Sequence, residues 1–188
     1  CGDALGVPYE FMPRLGPDDE PEMRGGGLGP YAPGEWSDDT QMALCIAQVA
    51  ATGADLTSEA ALDDVAQAFL AWQSGGASDI GNQTRTVLSG TRHEPGEHVG
   101  ARMLAVSRRL HEQTGHTAGN GGLMRTGVVG LSNLADADAT AAAARVVAEL
   151  THADPLAGDS CVIWSLAVRH AVLHGTFDGV RESLAWIP

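Results

Sequence analysis

The stretch from Asp154 to Gly175 constrains the fold more than any other part of the chain. Asp154-Pro155 is a helix start: an acidic N-cap, then proline at the first helical position, where no amide proton is needed. Gly175 is a matching stop. Between them Val162, Ile163, Trp164, Leu166, Val168, Val172 and Leu173 fall on every side of the helix. A helix apolar nearly all round predicts a place in the centre of the molecule. No segment alternates apolar and polar residues with the β-branched enrichment of a strand, so the expected fold is all-α.

The remaining segments agree with a multi-helix orthogonal bundle. Met42, Ile46 and Val49 recur at helical spacing, with Ala43, Ala47 and Ala50 beside them. Thr57 or Ser58 can cap a second helix carrying Leu62, Val65, Phe69 and Trp72, which Gly75-Gly76 ends. Ile80 to Leu88 predicts a short helix stopped by Gly90, and Glu97 to Gln113 another with Val99, Met103, Val106 and Leu110 on one stripe. Asp136 can cap an alanine-rich helix through Leu150, and Thr176 to Trp186 starts a last one. Pro13 to Gly34 is so rich in glycine and proline that it predicts a long loop. No fixed repeat is present, which argues against a solenoid.

Charge narrows the function classes. The formal net charge is −13, and all eleven cations are arginines. Such a surface repels phosphate backbones and disfavours a nucleic-acid partner. Cys1, Cys45 and Cys161 show neither disulfide nor zinc spacing and fit a reducing, cytoplasmic setting. No uninterrupted apolar run reaches the ~18 residues of a membrane span, and no secretory signal opens the chain. The chain starts at Cys1 without an initiator Met and reads as a segment of a longer protein.

Four motifs carry chemistry. Ser37-Asp38-Asp39-Thr40 stands between the long loop and a buried helix. It is either a set of hard oxygen ligands for a cation such as Mg²⁺ or a helix cap. Gly2 to Phe11 places Gly2 and Gly6 one turn apart, as in close helix contacts, and sets Glu10 between Tyr9 and Phe11. There Glu10 is either an acid–base group of raised pKa or an ordinary exposed residue. Gly119-Asn120-Gly121-Gly122, followed by Arg125, is either an anion cradle of backbone amides plus a guanidinium or a plain turn. A side chain at Gly121 is expected to block a ligand and to disfavour positive φ. His152, in the turn before Asp154, either lines a pocket or bonds to backbone. His170 and His174, one turn apart, read as structural.

Taken in this order, Gly2–Phe11, Trp36–Met42, Ser78–Leu88, Gly119–Leu131 and Thr151–Cys161 resemble the ADP-ribosylglycohydrolase family. The resemblance implies an all-α fold around a dinuclear Mg²⁺ or Mn²⁺ centre and hydrolysis of a glycosidic bond between ADP-ribose and a protein side chain or small molecule. It implies Ser37, Asp38 and Asp39 as metal ligands, and Glu10, Asp38 and Asp39 as the catalytic set. Thr117, Gly119, Asn120 and Gly121 match the loop holding diphosphate and distal ribose, with Arg125 beside it. His152 matches a ligand-contacting histidine, and Gly81 a loop near the phosphates.

One departure stands out. The family's second ligand group, an Asp-x-Asp-Thr motif near the C-terminus, is absent; Asp136-Ala137-Asp138-Ala139-Thr140 has one residue too many and sits elsewhere in the order. The expectation is therefore a single domain over residues 1–188, incomplete at both ends. The competing reading is a non-catalytic member that binds ADP-ribose or serves a structural role. A third is a helical Mg²⁺-dependent hydrolase of another phosphorylated compound.

Overall fold

A computed structural model describes all residues, 1–188. Nine α-helices form the fold, with no sheet. In chain order they are α1 (Gly2–Gly6), α2 (Asp38–Ala50), α3 (Glu59–Ser74), α4 (Asn82–Thr91), α5 (Val99–Thr114), α6 (Leu123–Thr126), α7 (Ala137–Glu149), α8 (Pro155–His174) and α9 (Gly179–Glu182). Short 3₁₀ turns follow α1, α6 and α9. The all-α expectation is met.

The caps explain the boundaries. The Ser58 side chain accepts from the Ala61 amide, Asp136 from Ala139, and Asp154 from Leu156. Asp136 thus serves as the cap of α7. The start of α5 lacks a cap of its own. Asp63 of α3 supplies one across the interface: its Oδ1 accepts from the Gly100 amide at 2.7 Å.

One apolar core of 20 buried side chains runs through α2–α5, α7 and α8. Met42, Ile46, Val65, Phe69, Leu88, Met103 and Val147 are fully buried in it. Unlike these, α8 departs from its expected central place. Cys161, Val162, Ser165 and Leu166 face α7 and the 127–131 turn, while Leu156, Trp164, Val172 and Leu173 are exposed. The helix packs on α6, α7, α9 and the 127–131 turn, but its all-round apolar character is not matched by all-round burial. By length and composition α8 is also the one helix that meets the measure of a membrane span, contrary to the run-length reading; its packing along α7 marks it as a core helix here.

Two further expectations are corrected. No neighbouring atom lies within 4 Å of where a Cβ would sit at Gly2 or Gly6, so these glycines make no close helix contact. They line a hollow instead. And α4 does not stop at Gly90 but continues to Thr91. A Cβ at Gly90 would lie 2.9 Å from Val106 Cγ1, so the glycine lets α5 approach. The Pro13–Gly34 segment is a loop, as predicted. It is tied to the end of the α1 region where the Glu22 amide donates to Tyr9 Oη (2.8 Å) and Arg24 stacks over the Tyr9 ring.

The α3–α5 crossing is a close backbone contact that a mutation can probe. A Cβ at Gly100 would lie 2.9 Å from Leu62 C and 3.0 Å from Leu62 O, and backbone cannot swing aside as a side chain can. Gly100→Ala is expected to cost about 1–3 kcal/mol. That lowers Tm by roughly 2–4 °C per kcal/mol. A thermal melt with unchanged Tm contradicts the close crossing.

Candidate active site

The N-terminus of α2 is the charged end of the site. Ser37 is its N-cap but does not cap it with its own side chain. Asp3 of α1 does so from 34 residues away. Its carboxylate accepts from the Ser37 amide (3.0 Å), the Ser37 hydroxyl (2.8 Å) and the Thr40 amide (3.0 Å). Burial alone would raise the Asp3 carboxyl, but the hydrogen bonds from Ser37 and Thr40 outweigh it and hold it below the usual range. With its proton committed to Asp3, the Ser37 hydroxyl keeps a lone pair free.

Asp38 and Asp39 open onto a cavity of about 260 Å³. Glu10, Asp79, Gly81, Asn82, Gln83, Gly119, Asn120, Gly121 and His152 line the same cavity. A second hollow of about 370 Å³ lies behind Glu10, Asp39 and Asn120, which line both. Four carboxylates therefore crowd one end of the site. Burial, then Asp79, Asp39 and Glu10, push the Asp38 carboxyl up to about 7. Burial and Asp3 raise Asp39. Burial, Asp79, Asp39 and Asp3 raise Glu10, which is exposed at the mouth. The next residue, Phe11, is exposed and held at φ 58°, an uncommon conformation for a bulky side chain.

The donor chemistry fits a hard divalent cation: Ser37, Asp38 and Asp39 present oxygens in a cluster whose mutual repulsion a cation would relieve. No three His, Cys, Asp or Glu side chains converge on one point, so these side chains alone would not complete a coordination shell. Mg²⁺-type ions are held by one or two carboxylates, with water completing the shell.

The rest of the lining is neutral. Gln83 fastens it: its Nε2 donates to both Thr117 O and Thr151 O at 2.9 Å, joining α4 to the glycine loop and to the His152 turn. Gly119 and Gly121 are close to His152 and have no positive φ. A Cβ at Gly121 would sit 2.9 Å from His152 Cε1 and 3.3 Å from Thr84 Oγ1. Glycine is thus required by closeness to the ring, not by a left-handed backbone, which corrects the sequence-based reason.

Two predicted ligand contacts are displaced. Arg125 does not reach the cavity. It is fully buried, stacks on Phe69 with its guanidinium 4.6 Å from the ring centroid, and donates to Thr151 Oγ1 at 2.7 Å. Its place on α6 turns its side chain into the core, away from the glycine loop. Thr117 is also buried, with its hydroxyl on His111 Nδ1 at 2.7 Å and its carbonyl on Gln83. Conversely, Asp79, Asn82 and Gln83 line the cavity without having been singled out. In the sequence they look like the turn and first residues of a helix, and only the adjacent Gly81 hinted at them.

This all-α bundle, with an acidic helix end sharing one cavity with a glycine loop and a buried histidine, belongs to the ADP-ribosylglycohydrolase family, whose model matches residues 1–188. Among curated relatives, it is 39% identical over 104 residues to the ADP-ribosylarginine hydrolase Tri1 of Pseudomonas putida (strain GB-1), covering 50% of this chain and 26% of that one. It is 29% identical over 183 residues to the ADP-ribosyl-[dinitrogen reductase] glycohydrolase of Rhodospirillum rubrum, covering 91% of this chain and 54% of that one. The chain thus spans about half of the latter's length, and a quarter of Tri1 is matched.

The Asp38 shift has a sign that can be tested. Its carboxyl normally titrates at 3.8 and is raised to about 7 in the fold. Between those values the folded state binds more protons than the unfolded one, so stability falls as pH rises through the window. In metal-free buffer Asp38→Asn is expected to melt above wild type near pH ~7 and beyond, with the gap closing below pH ~4. Parallel Tm curves across that range contradict the charge crowding.

Proposed function

We propose that this protein takes part in hydrolysing the glycosidic bond between ADP-ribose and an acceptor, with an ADP-ribosylated protein as the favoured substrate. The observation that carries this reading is one cavity lined both by the carboxylates Glu10, Asp38, Asp39 and Asp79 and by the Gly119–Gly121 loop and His152. The names of the relatives, an arginine-linked and a protein-linked ADP-ribose hydrolase, support the choice of substrate class.

Charge decides how the substrate lies. Breaking the bond at the anomeric carbon builds positive character on the ribose, which nearby carboxylates stabilise. The diphosphate is repelled by those same carboxylates and belongs against the glycine loop, where backbone amides and a neutral ring are the neighbours. Holding the diphosphate there sets the reacting ribose beside Glu10, so remote binding orients the bond to be broken. Glu10, with its pKa raised by burial and by three neighbouring acids, keeps a proton longer than a free carboxyl and can pass it to the leaving group. Water completes the cleavage by adding to the ribose carbon.

In this reading Ser37, Asp38 and Asp39 hold Mg²⁺ or Mn²⁺, which when bound supplies Lewis-acid polarisation of water and of ribose oxygens. Asp3 serves as the residue that orients Ser37 and the α2 N-terminus toward that ion. A cytoplasmic setting suits the free thiols of Cys1, Cys45 and Cys161.

The test is Glu10→Gln in the parent protein, assayed on an ADP-ribosylated arginine substrate with Mn²⁺. The expected result is a kcat loss of ~10²–10⁴-fold with ADP-ribose affinity retained. A raised KM at constant kcat would instead make Glu10 a positioning contact. Values close to wild type for both remove it from the reaction. Failure of ADP-ribose to bind, measured by calorimetry, refutes the substrate class itself.

A further inference from the structure

His152 sits at the end of a buried chain that the reaction chemistry leaves unused. Arg125 Nη2 donates to Thr151 Oγ1 at 2.7 Å, and Thr151 Oγ1 lies 2.8 Å from His152 Nδ1. All three residues are nearly or fully excluded from solvent. On the far side of the ring, Nε2 has no protein partner among the side-chain hydrogen bonds. It lies against the glycine loop, 3.5 Å from a Cβ position at Gly119 and 3.1 Å from one at Gly121. His152 also lines the cavity.

The direction of each bond in the chain follows from donor and acceptor counts. A guanidinium only donates, so Thr151 Oγ1 accepts at its Arg125 contact. The Thr151 hydroxyl proton then needs an acceptor within a buried site, and His152 Nδ1 is the one in reach. Were Nδ1 protonated instead, Arg125 and His152 would both donate to Thr151 Oγ1 and the hydroxyl hydrogen would be left unpaired. Nδ1 therefore accepts, and a neutral imidazole carries its hydrogen on Nε2.

We propose that Arg125 and Thr151 are positioning residues that lock His152 as its Nε2–H tautomer, so that the ring donates one hydrogen bond to a diphosphate oxygen in the cavity. This rests on the ADP-ribose reading for the identity of the ligand, while the tautomer rests on the core geometry alone. Burial and the Arg125 charge push the ring's pKa down to about 3, which agrees with a neutral donor. His152 is then neither an acid–base group nor a cation ligand, since freeing Nε2 to accept would break the Thr151 bond. The arrangement also gives Arg125 a part in binding despite its distance from the cavity: its charge polarises the hydroxyl that in turn fixes the ring.

The experiment uses ¹⁵N-histidine-labelled chain, with His152 assigned by comparison with His152→Gln. Near neutral pH the expected spectrum shows Nε2 protonated and Nδ1 unprotonated. A His152 protonated on Nδ1, or on both nitrogens, overturns the proposal without any ligand present. Thr151→Val removes the hydroxyl at nearly constant volume. It is expected to release the tautomer toward a mixture and to weaken ADP-ribose and ADP about tenfold alike, the loss of roughly one hydrogen bond. Adenosine, which lacks the diphosphate, is expected to be unaffected. Thr151→Ser restores the hydroxyl and both properties. An unchanged tautomer and unchanged affinity in Thr151→Val overturn the positioning role. Should Thr151→Val fail to fold, the wild-type spectrum and Thr151→Ser still decide the tautomer. If the wild-type chain binds neither ADP nor ADP-ribose, the ligand reading fails, and the diphosphate contact with it, while the spectrum still decides the tautomer lock.

Discussion

The buried guanidinium of Arg125 is the interaction around which the bundle is arranged. Removing a charge from water costs several kcal/mol unless polar groups receive it. No carboxylate does so here. The cation lies on the face of Phe69 from α3, reaches Met42 Sδ on α2, and donates to Val147 O at the end of α7 and to Thr151 Oγ1 in the following turn. Four parts of the chain must be in place at once to receive it, and its buried Nε is still left without a hydrogen-bond partner. Burial first, and the Arg125 charge second, keep the His152 ring uncharged. Core and cavity are in this way linked by one side chain.

The opposite electrostatic situation prevails at the start of α2. There carboxylates are gathered without a compensating cation, and Asp38 holds its proton up to about 7. Acids in a first helical turn are normally stabilised by the helix dipole. Here Asp3 already uses the amides of Ser37 and Thr40, so Asp38 and Asp39 are left to face the cavity. An end of a helix that would be an ordinary cap instead presents its carboxylates to the cavity, because another segment does the capping.

Between these poles, Gln83 ties together three segments of the cavity lining. It joins two carbonyls 34 residues apart, Thr117 O and Thr151 O, to the first turn of α4. The glycine loop consequently rests against the His152 ring, in the cavity that the carboxylates also line. The proposed ligand, with a phosphorylated end and a sugar that becomes cationic, would use both kinds of lining. The family membership of the chain agrees with that reading.

Helix content, most helix starts and the long loop were legible because they depend on local chemistry: caps at Ser58, Asp136 and Asp154, glycine stops, and a 3.6-residue apolar period. The motifs holding Glu10, Asp38, Asp39, Gly119–Gly121 and His152 were legible as well, since residues of unusual type stood together. What the local pattern did not contain was direction. Arg125 follows a glycine loop and reads as an anion contact, yet a four-residue helix turns it into the core. Asp79, Asn82 and Gln83 read as a turn and acquire a role only when α4 is laid beside residues 117 and 151. The incomplete burial of α8 likewise depends on which neighbours are present, not on its own composition. By itself the sequence determined which segments are helical and which residues carry reactive groups. The tertiary structure alone decided which of those groups share a cavity, because that depends on contacts between residues 34 to 68 positions apart.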